Sequence, residues 1–333
     1  MLIEPRFGAG SRVLVAGGAG FVPSHVVDQL VQRGASVVVV DNFITGAKEN
    51  VEHLQGHPGF TLVELDISEP FPAGLAALDG RFDAILHLAS PASPTDFRRY
   101  AIEIMRVNGL GTLHLLERAL ADGARYLFAS TSEAYGDPLV HPQPETYWGN
   151  VNPIGVRSVY DESKRFGEAA AMAYHRDRGA DVAIVRIFNT YGPRMAIGDG
   201  RAIPTFITQA LRGEPVTVMG TGAQTRSNCF VDDLVRGILA LLDLHETGPI
   251  NCGTEHEISM RELAETIVAL TGSASPIVHV EKAPDDPERR RPDLTLARRL
   301  LGYEPSVPPE VGLRRTIEHF AVRLGLPVPP QTS

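Results

Sequence analysis

Residues 12–23 read RVLVAGGAGFVP, a short apolar run that leads directly into a glycine-rich turn. An amphipathic stretch follows, and then a second apolar run over residues 36–40 that ends at Asp41. Strand, glycine-rich turn, helix, strand and acidic residue, in this order, are typical of a dinucleotide-binding βαβ unit. The glycines let the backbone approach a pyrophosphate, and the N-terminus of the following helix favours its negative charge. We therefore predict that this unit binds a dinucleotide.

The acidic residue at the end of the second strand indicates which dinucleotide is bound. A carboxylate such as Asp41 suits the two ribose hydroxyls of the adenosine and repels a 2′-phosphate, so NAD is favoured over NADP. The third position of the glycine spacing, normally a small residue, is Pro23. Proline is tolerated in the first turn of a helix, where its missing N–H has no partner in any case. We keep the NAD site and expect the start of the helix to be shifted.

Apolar runs and helical patterns continue to alternate after this unit. The helical patterns cover Ile102–Ala121 and Tyr160–Arg178, and the further apolar runs cover 60–65, 84–88, 126–129 and 182–187. Such alternation predicts an α/β fold with a Rossmann-type doubly wound parallel sheet. Ligands then bind at the carboxyl ends of the strands.

The pattern changes after Ile187, where turn-rich segments surround one predicted helix. Residues 230–242 and 250–253 indicate a return to the sheet, and two or three helices complete the chain. We predict a smaller C-terminal α/β substrate domain that is interleaved with the first. The cofactor domain is assigned to 1–188 plus 228–253, and the substrate domain to 189–227 plus 254–325.

A second informative stretch runs from Ala129 to Lys164, beginning with ASTSEAYG after a predicted strand and ending with YDESK on a predicted helix. Tyr160 and Lys164 lie one helical turn apart on the same face. A neighbouring ammonium favours the phenolate, so the pair is a candidate general acid/base, with Thr131 placed to share a substrate hydroxyl. A half-buried tyrosine beside a snorkelling lysine gives the same spacing. The dinucleotide-binding unit in the same chain favours catalysis.

Composition restricts the partners and the location. The net charge of −9 argues against nucleic acid or an anionic membrane as a general partner. Cys229 and Cys252 lack metal-ligand spacing, so we predict no metal site and a reducing, cytoplasmic location. No secretory signal or membrane-spanning run is present in the printed sequence. The helical segments 102–121 and 160–178 carry apolar residues on more than one face, which favours a homodimer built from them.

With these motifs in hand, the chain resembles the extended short-chain dehydrogenase/reductases that act on nucleotide sugars, and among them the UDP-glucuronate decarboxylases. The resemblance covers about 12–320. Its matching stretches are GGAGFV, VDNFITG, HLASPASP, ASTSEAYGDPLVHPQ, YWGNVNPIG, YDESK, RIFNTYGPRM, GEPVTVMGTGAQTR and DDPERRRPD.

The resemblance implies roles for individual residues. Catalysis is assigned to Tyr160, Lys164, Thr131, Glu133 and Arg226. Substrate binding, to a UDP-sugar that is most simply UDP-glucuronate, is assigned to Ser93, Ser132, Asn189, Arg194, Arg226 and Arg290. In this assignment Glu133 and Arg226 lie beside the sugar carboxylate, and Arg226 and Arg290 face the diphosphate. The cofactor contacts are assigned to Gly17, Gly20, Phe21, Val22, Asp41, Asn42, Asp66, Ile67, Leu88, Ala89, Asn108, Tyr160 and Lys164.

The implied reaction is an NAD-dependent decarboxylation: oxidation at C4, loss of CO2 from the β-keto acid, and re-reduction to UDP-xylose or a related UDP-pentose. A 4,6-dehydratase is disfavoured, because Ser132 stands where that class commonly has an acidic Asp. A UDP-glucuronate 4-epimerase uses the same tyrosine, lysine and NAD, and it remains the main alternative. A non-catalytic NAD-binding regulator would not need an intact Thr131/Tyr160/Lys164 set.

The chain also departs from the decarboxylase pattern at several positions. Besides Pro23, the segment Phe97–Arg106 lacks the usual Asn-Pro-x-Lys-Thr run, and Met219 stands where an aromatic residue is common. Val159 and Ser163 replace the usual Cys and Gly beside the catalytic pair. These departures remove no predicted catalytic group, but they leave the substrate open.

Overall fold

The computed structural model describes residues 5–281 and 289–330. The strands in these residues are β1 Arg12–Ala16, β2 Ser36–Asp41, β3 Phe60–Glu64, β4 Ala84–His87, β5 Arg125–Thr131, β6 Val182–Ile187, β7 Thr190–Tyr191, β8 Val216–Met219, β9 Thr225–Ser227, β10 Cys229–Phe230, β11 Ile250–Cys252, β12 Glu257–Ser259, β13 Ile277–Val280 and β14 Arg289–Arg290. The helices are α1 Phe21–Gln32, α2 Asp96–Arg99, α3 Ala101–Arg106, α4 Thr112–Asp122, α5 Ser158–Arg178, α6 Ala202–Arg212, α7 Val231–Asp243, α8 Met260–Thr271, α9 Thr295–Leu301 and α10 Pro309–Leu324.

Seven strands form one parallel sheet in the order β11-β6-β5-β4-β1-β2-β3. The chain runs outward from β1 to β3 and then returns to place β4 on the other side of β1. This reversal leaves a crevice at the carboxyl ends of β1 and β4, the usual ligand position in a doubly wound sheet. The Rossmann-type fold predicted from the alternating pattern is therefore confirmed.

Both faces of the sheet are buried, which explains the nearly continuous apolar runs of its strands. In β1, Val13 and Val15 enter one core cluster together with apolar residues of α1 and α7, whereas Leu14 and Ala16 enter the other with residues of α4 and α5. Each core lies on one side of the sheet, so the domain has three layers. All seven residues of β5 are buried, which places the end of this strand at a fixed position.

The expected shift of the first helix does not occur. Helix α1 begins at Phe21, directly after Gly20, which occupies its N-cap position. Pro23 is the third helical residue, within the first turn, where its missing N–H costs no intrahelical hydrogen bond. The proline is therefore accommodated in the usual helix without displacing its start.

Two other predicted segments differ in detail. The helix predicted over 102–121 is interrupted by a π-helical turn at Val107–Gly111, so it forms α3 and α4 separately. Residues 230–242 return to the sheet as helix α7, which packs against α1 and β6 and is not itself a strand. Strand β11 follows and forms the edge of the sheet beside β6.

The other strands form three small sheets that are separate from the main sheet. Helices α6, α8 and α10 pack together, with β8 paired to β13. Strand β9 pairs with β12 on one side and with β14 on the other, which brings residue 226 next to residue 290. Within the described ranges, no helix is both long and apolar enough to cross a membrane.

Candidate active site

A cavity of about 1090 Å³ opens at the carboxyl ends of β1, β4 and β5 and extends to β9 and β14. Most of the predicted site residues line it. From the cofactor and catalytic assignments these are Gly17, Gly20, Phe21, Val22, Asp41, Asn42, Asp66, Leu88, Ala89, Thr131, Glu133, Tyr160 and Lys164. From the substrate assignments they are Ser93, Ser132, Asn189, Arg194, Arg226 and Arg290.

The glycine-rich turn fits a dinucleotide diphosphate. Gly17 has φ +78°, and a Cβ on it would lie 2.5 Å from the Cα of Ala89, so neither the backbone angle nor the space admits a side chain. The turn places the N-terminus of α1 at the cavity wall. No side chain caps this N-terminus, and its first turn carries no acidic residue. Its backbone N–H groups are thus suited to bind an anion.

Asp41 lies at the end of β2 and faces the same cavity. Its Oδ2 accepts a hydrogen bond from the N–H of Ala19 at 3.0 Å, and its Oδ1 accepts one from the N–H of Phe43 at 2.8 Å. Burial raises the pKa of Asp41, although these two hydrogen bonds oppose that effect. Each oxygen keeps a second acceptor position, so the carboxylate fits a pair of ribose hydroxyls.

The predicted adenine contacts form a connected group at the cavity edge. Asn42 donates from Nδ2 to Oδ2 of Asp66 at 3.0 Å, and Oδ1 of Asp66 accepts the N–H of Ser68 at 2.8 Å. Burial opposes ionisation of Asp66, but these hydrogen bonds outweigh it and lower its pKa. The carboxylate is therefore held in one orientation at the cavity edge.

The predicted acid/base residues meet at the end of β5. Tyr160 is 7% exposed, and the side chain of Thr131 interacts with its phenol. Lys164 donates from Nζ to the carbonyl oxygen of Ala129 at 2.8 Å, and its Nζ lies 5.8 Å from the centroid of the Tyr160 ring. Strand β5 and helix α5 thus bring all three side chains to one wall.

The electrostatics of this pair differ from the sequence-based expectation. Burial raises the pKa of Tyr160 above its ordinary value, and the hydrogen bond from Thr131 offsets this only in part. Burial also lowers the pKa of Lys164 to about 7. The expectation that the pKa of the phenol falls towards neutral pH is not met in the protein alone, because burial has the largest effect on it.

Glu133 lies at the centre of a buried ion-pair cluster in the 3₁₀ turn Ser132–Tyr135. Its carboxylate accepts hydrogen bonds from the guanidinium groups of both Arg290 and Arg157. Burial alone would raise the pKa of Glu133, but the two arginines outweigh it and lower the pKa to about 2. The cavity therefore contains an ionised carboxylate and two guanidinium groups close to Thr131 and Tyr160.

The structure places Arg226 and Arg290, both predicted to face the diphosphate, beside each other. Arg290 binds Glu133. Arg226, which was also predicted to lie beside the sugar carboxylate, lines the cavity from β9 and donates to the carbonyl oxygen of Thr225 at 2.8 Å. Because β9 pairs with β14, the two arginines line the same end of the cavity.

The other predicted substrate residues are distributed around the cavity wall. Ser93 donates to the carbonyl oxygen of Asp199, which joins two loops over the cavity, and Arg194 forms an ion pair with Asp28 at 2.7 Å. Ser132 is 2% exposed and follows Thr131 directly. Asn189 lines the cavity between β6 and β7.

Two predicted cofactor residues do not line the cavity. Ile67 is packed in the apolar core. Asn108 is fully buried in the π-helical turn, where its Nδ2 donates to the hydroxyls of Ser90 and Ser163 at 3.1 and 3.0 Å. Asn108 thus supports the cavity wall from behind, since Ser163 in turn donates to the carbonyl oxygen of Tyr160 at 3.0 Å.

Two residues of this site were not assigned a role from the sequence. Phe97 stacks on the ring of Tyr160 with a centroid distance of 5.0 Å and an interplanar angle of 20°. Arg157, besides binding Glu133, lies with its guanidinium carbon 5.3 Å from the centroid of Phe97. Phe97 lies on α2, far in sequence from Arg157 and Tyr160 at the start of α5, so no local spacing could have indicated these contacts.

Comparison with known proteins defines the class. A model of the NAD dependent epimerase/dehydratase family matches residues 13–253, most of the chain. The chain belongs to this family, which confirms the extended short-chain dehydrogenase/reductase resemblance given by its motifs.

More specific relatives are also found. UDP-glucuronic acid decarboxylase 3 of Arabidopsis thaliana is 50% identical over 317 residues, which are 95% of this chain and 91% of that protein. Among solved structures, dTDP-glucose 4,6-dehydratase of Streptomyces venezuelae with NAD bound has a TM-score of 0.85 and 32% identity, covering 94% of this chain and 98% of that one. UDP-glucuronic acid 4-epimerase of Bacillus cereus, with UDP-glucuronic acid and NAD, has a TM-score of 0.84 and 27% identity, covering 94% and 99%.

Proposed function

We propose that this chain is an NAD-dependent UDP-glucuronate decarboxylase that forms UDP-xylose or a related UDP-pentose. The observation that carries the proposal is the buried Glu133 carboxylate, bound by Arg290 and Arg157, beside Thr131 and Tyr160 in the same cavity. Such a cluster can bind and orient a sugar carboxylate next to the acid/base residues. The 50% identity to a plant UDP-glucuronic acid decarboxylase over nearly the whole chain supports the same activity.

In this proposal the N-terminal half holds NAD. The N–H groups at Gly20, Phe21 and Val22 bind the diphosphate, Asp41 binds the adenosine ribose, and Lys164 binds the nicotinamide ribose. Asn42, Asp66, Leu88 and Ala89 complete the cofactor contacts, with Asn108 and Ile67 behind them. The proposed cofactor domain is 1–188 plus 228–253, and the nucleotide-sugar domain is 189–227 plus 254–325.

The chemistry at C4 is assigned to Tyr160 and Thr131. When bound, NAD accepts the hydride from C4 of the sugar and later returns it. Tyr160, as the phenolate, accepts the proton of the O4 hydroxyl and becomes the phenol as the hydride leaves, while Thr131 orients that hydroxyl. When the hydride returns, Tyr160 donates the proton back to O4.

The chemistry at C5 is assigned to the Glu133 cluster. The C4 ketone makes the sugar a β-keto acid, which loses CO2 readily because the electrons left on C5 delocalise into the carbonyl. The protein has to bind the carboxylate in a suitable orientation and deliver a proton to C5. We assign binding of the carboxylate to Arg290 and Arg157, and proton delivery to Glu133. Arg226, Asn189, Arg194, Ser93 and Ser132 then contact the rest of the UDP-sugar.

The alternative activity is that of a UDP-glucuronate 4-epimerase, which shares the acid/base pair and the cofactor. The epimerase of known structure is 27% identical to this chain, compared with 50% for the plant decarboxylase. Incubating the protein with UDP-glucuronate and NAD separates the two activities by mass spectrometry. A product lighter by one CO2 is expected; a product of unchanged mass with a new C4 configuration would make the chain an epimerase.

We propose further that the protein is a homodimer that forms through α3, α4 and α5. Apolar side chains on and between these helices are exposed in the single chain: Ile102 by 65%, Met105 by 51%, Leu110 by 43% and Phe166 by 45%. Phe166→Glu is expected to give a monomer by light scattering, whereas the wild type gives a dimer. A monomeric wild type would contradict this proposal.

The location proposed for the protein is the cytoplasm. Cys229 and Cys252 are both free and buried, and burial raises the pKa of each thiol, so neither is a reactive thiolate. Such cysteines suit a reducing compartment. Fractionation of cells that express the tagged protein is expected to recover it with cytoplasmic markers; recovery with a membrane or secreted fraction would contradict the assignment.

A further inference from the structure

A second carboxyl group is buried on α5, the helix that packs against the turn carrying Glu133. Asp161 follows Tyr160 in the first turn of α5 and is 5% exposed. Its Oδ1 is buried and has no hydrogen-bond partner among the residues that the structure describes. Asp161 does not line the cavity, whereas Glu133 does.

The charged groups around Asp161 come from four places in the fold. Glu133 approaches from the turn after β5, Arg157 from the segment before α5, Arg290 from β14, and Glu162 from the same helix. Both guanidinium groups donate to the oxygens of Glu133. The cluster therefore contains two buried carboxyl groups, of which Glu133 is the one that both arginines bind.

This arrangement determines where a proton resides. A buried ionised carboxylate without a donor is costly, and two neighbouring carboxyl groups do not both ionise readily. Glu133 is ionised because of its arginines, so the proton belongs on Asp161. Consistent with this, burial and the charge of Glu133 raise the pKa of Asp161 to about 7.

We propose that Asp161 stores the proton that the reaction consumes at C5 and passes it to Glu133, which delivers it to the sugar. This inference rests on the proposed decarboxylase function and deepens it. Asp161 acts through Glu133 and is a positioning residue for proton transfer, not a group that touches the substrate.

Substrate binding provides the trigger for the transfer. A sugar carboxylate that docks on Arg290 and Arg157 competes with Glu133 for these cations and adds a neighbouring negative charge. Both effects raise the proton affinity of Glu133, so the proton moves to it from Asp161. The C5–C6 bond then breaks and CO2 leaves, the electron pair remains on C5, and C5 forms a bond to the proton of Glu133. Asp161 regains one proton from solvent, which balances the one consumed per CO2 released.

The test compares Asp161→Asn with the matched control Glu162→Gln, the adjacent and more exposed carboxyl group of α5. In single-turnover reactions with UDP-glucuronate and NAD, CO2 release, NADH absorbance and UDP-pentose formation are followed together. In Asp161→Asn, CO2 and NADH are expected to form at close to the wild-type rate. UDP-pentose formation is expected to slow by at least about tenfold, since it waits for a proton at C5. Glu162→Gln is expected to match the wild type in all three.

The pH dependence gives a readout that a purely structural role would not change. The interval between CO2 release and UDP-pentose formation should lengthen in the wild type and in Glu162→Gln as the pH rises above about 7, the pKa of Asp161. In Asp161→Asn the interval should be long at every pH. Lys164 also titrates in this pH range, but it is present in all three proteins. If the pH dependence of the interval is lost only in Asp161→Asn, it is therefore due to Asp161.

Three outcomes would overturn the inference. One is a normal rate of UDP-pentose formation in Asp161→Asn, and another is equal slowing of CO2 release and UDP-pentose formation. The third applies even if Asp161→Asn does not fold: it is an interval between CO2 release and UDP-pentose formation that stays constant in the wild type across this pH range. Failure of the proposed function is distinct, because the wild type would then release no CO2.

Discussion

Replacing Glu133 by glutamine tests how the active-site ion cluster is stabilised. The substitution keeps the size of the side chain and removes the charge that Arg290 and Arg157 bind. The folded-state pKa of about 2, compared with an ordinary value of 4.5, corresponds to about 3 kcal/mol of stability from the ionised carboxylate. Loss of one partner of a buried ion pair typically costs about 3–5 kcal/mol, which agrees with this magnitude.

The sign of the pH dependence follows from the direction of the shift. Because the folded state lowers the pKa of Glu133, its contribution is complete above about pH 4.5 and is lost as the pH falls towards 2. The free energy of unfolding of Glu133→Gln should therefore be about 3 kcal/mol below that of the wild type at neutral pH. The difference in unfolding free energy between the two proteins should become smaller as the pH falls below about 4.5.

Urea unfolding followed by circular dichroism, at neutral and at acid pH, measures this gap. The control is Glu162→Gln, because that side chain is 41% exposed and pairs with Arg165 at the surface, where an ion pair contributes at most about 1 kcal/mol. UDP-pentose formation by Glu133→Gln should also fall by roughly 10²–10⁴-fold. Equal stability of variant and wild type at neutral pH, or a gap that does not change with pH, would refute the electrostatic account of the cluster.

Three further substitutions test other parts of the site. Tyr160→Phe should bind NAD normally, measured by calorimetry, and lose turnover by roughly 10²–10⁴-fold or more; near-normal turnover would remove the phenol from the mechanism. Gly17→Ala should lose NAD affinity because its Cβ would lie 2.5 Å from the Cα of Ala89. The control Gly10→Ala, at a similar φ but in open space, should keep its NAD affinity. Equal NAD affinities of the two variants would mean that the close approach at Gly17 does not matter. Arg226→Ala should raise KM for UDP-glucuronate by about 10–100-fold with a smaller change in kcat. Unchanged kinetics would mean that Arg226 has a structural role and does not bind the substrate.

The sequence predicted the βαβ unit of residues 12–41 well because its signals are local. A glycine at positive φ, a helix that begins right after it and an acidic residue ending the next strand are all set by neighbours in the chain. Pro23 shows the limit of such reasoning. Its effect on the helix depends on which turn it occupies, and its position as third residue after Gly20 makes it harmless.

The contacts around Glu133 and Tyr160 were harder to predict because they join distant segments of the chain. Arg290 reaches Glu133 only because β14 pairs with β9, and neither strand has more than three residues. The stacking of Phe97 on Tyr160 likewise depends on how α2 folds over the cavity. Burial was the other missing quantity, since the YDESK spacing gives the distance between Tyr160 and Lys164 but not the desolvation that sets their pKa values.

The most direct test of the account follows the carboxylate carbon itself. The purified protein is incubated with NAD and UDP-glucuronate labelled with carbon-13 at C6, and the label is traced in released gas and in the sugar by NMR. The account predicts that one labelled CO2 is released for each UDP-pentose formed, with no net consumption of NAD. Label retained in a UDP-hexuronate of altered C4 configuration would contradict it and identify an epimerase instead.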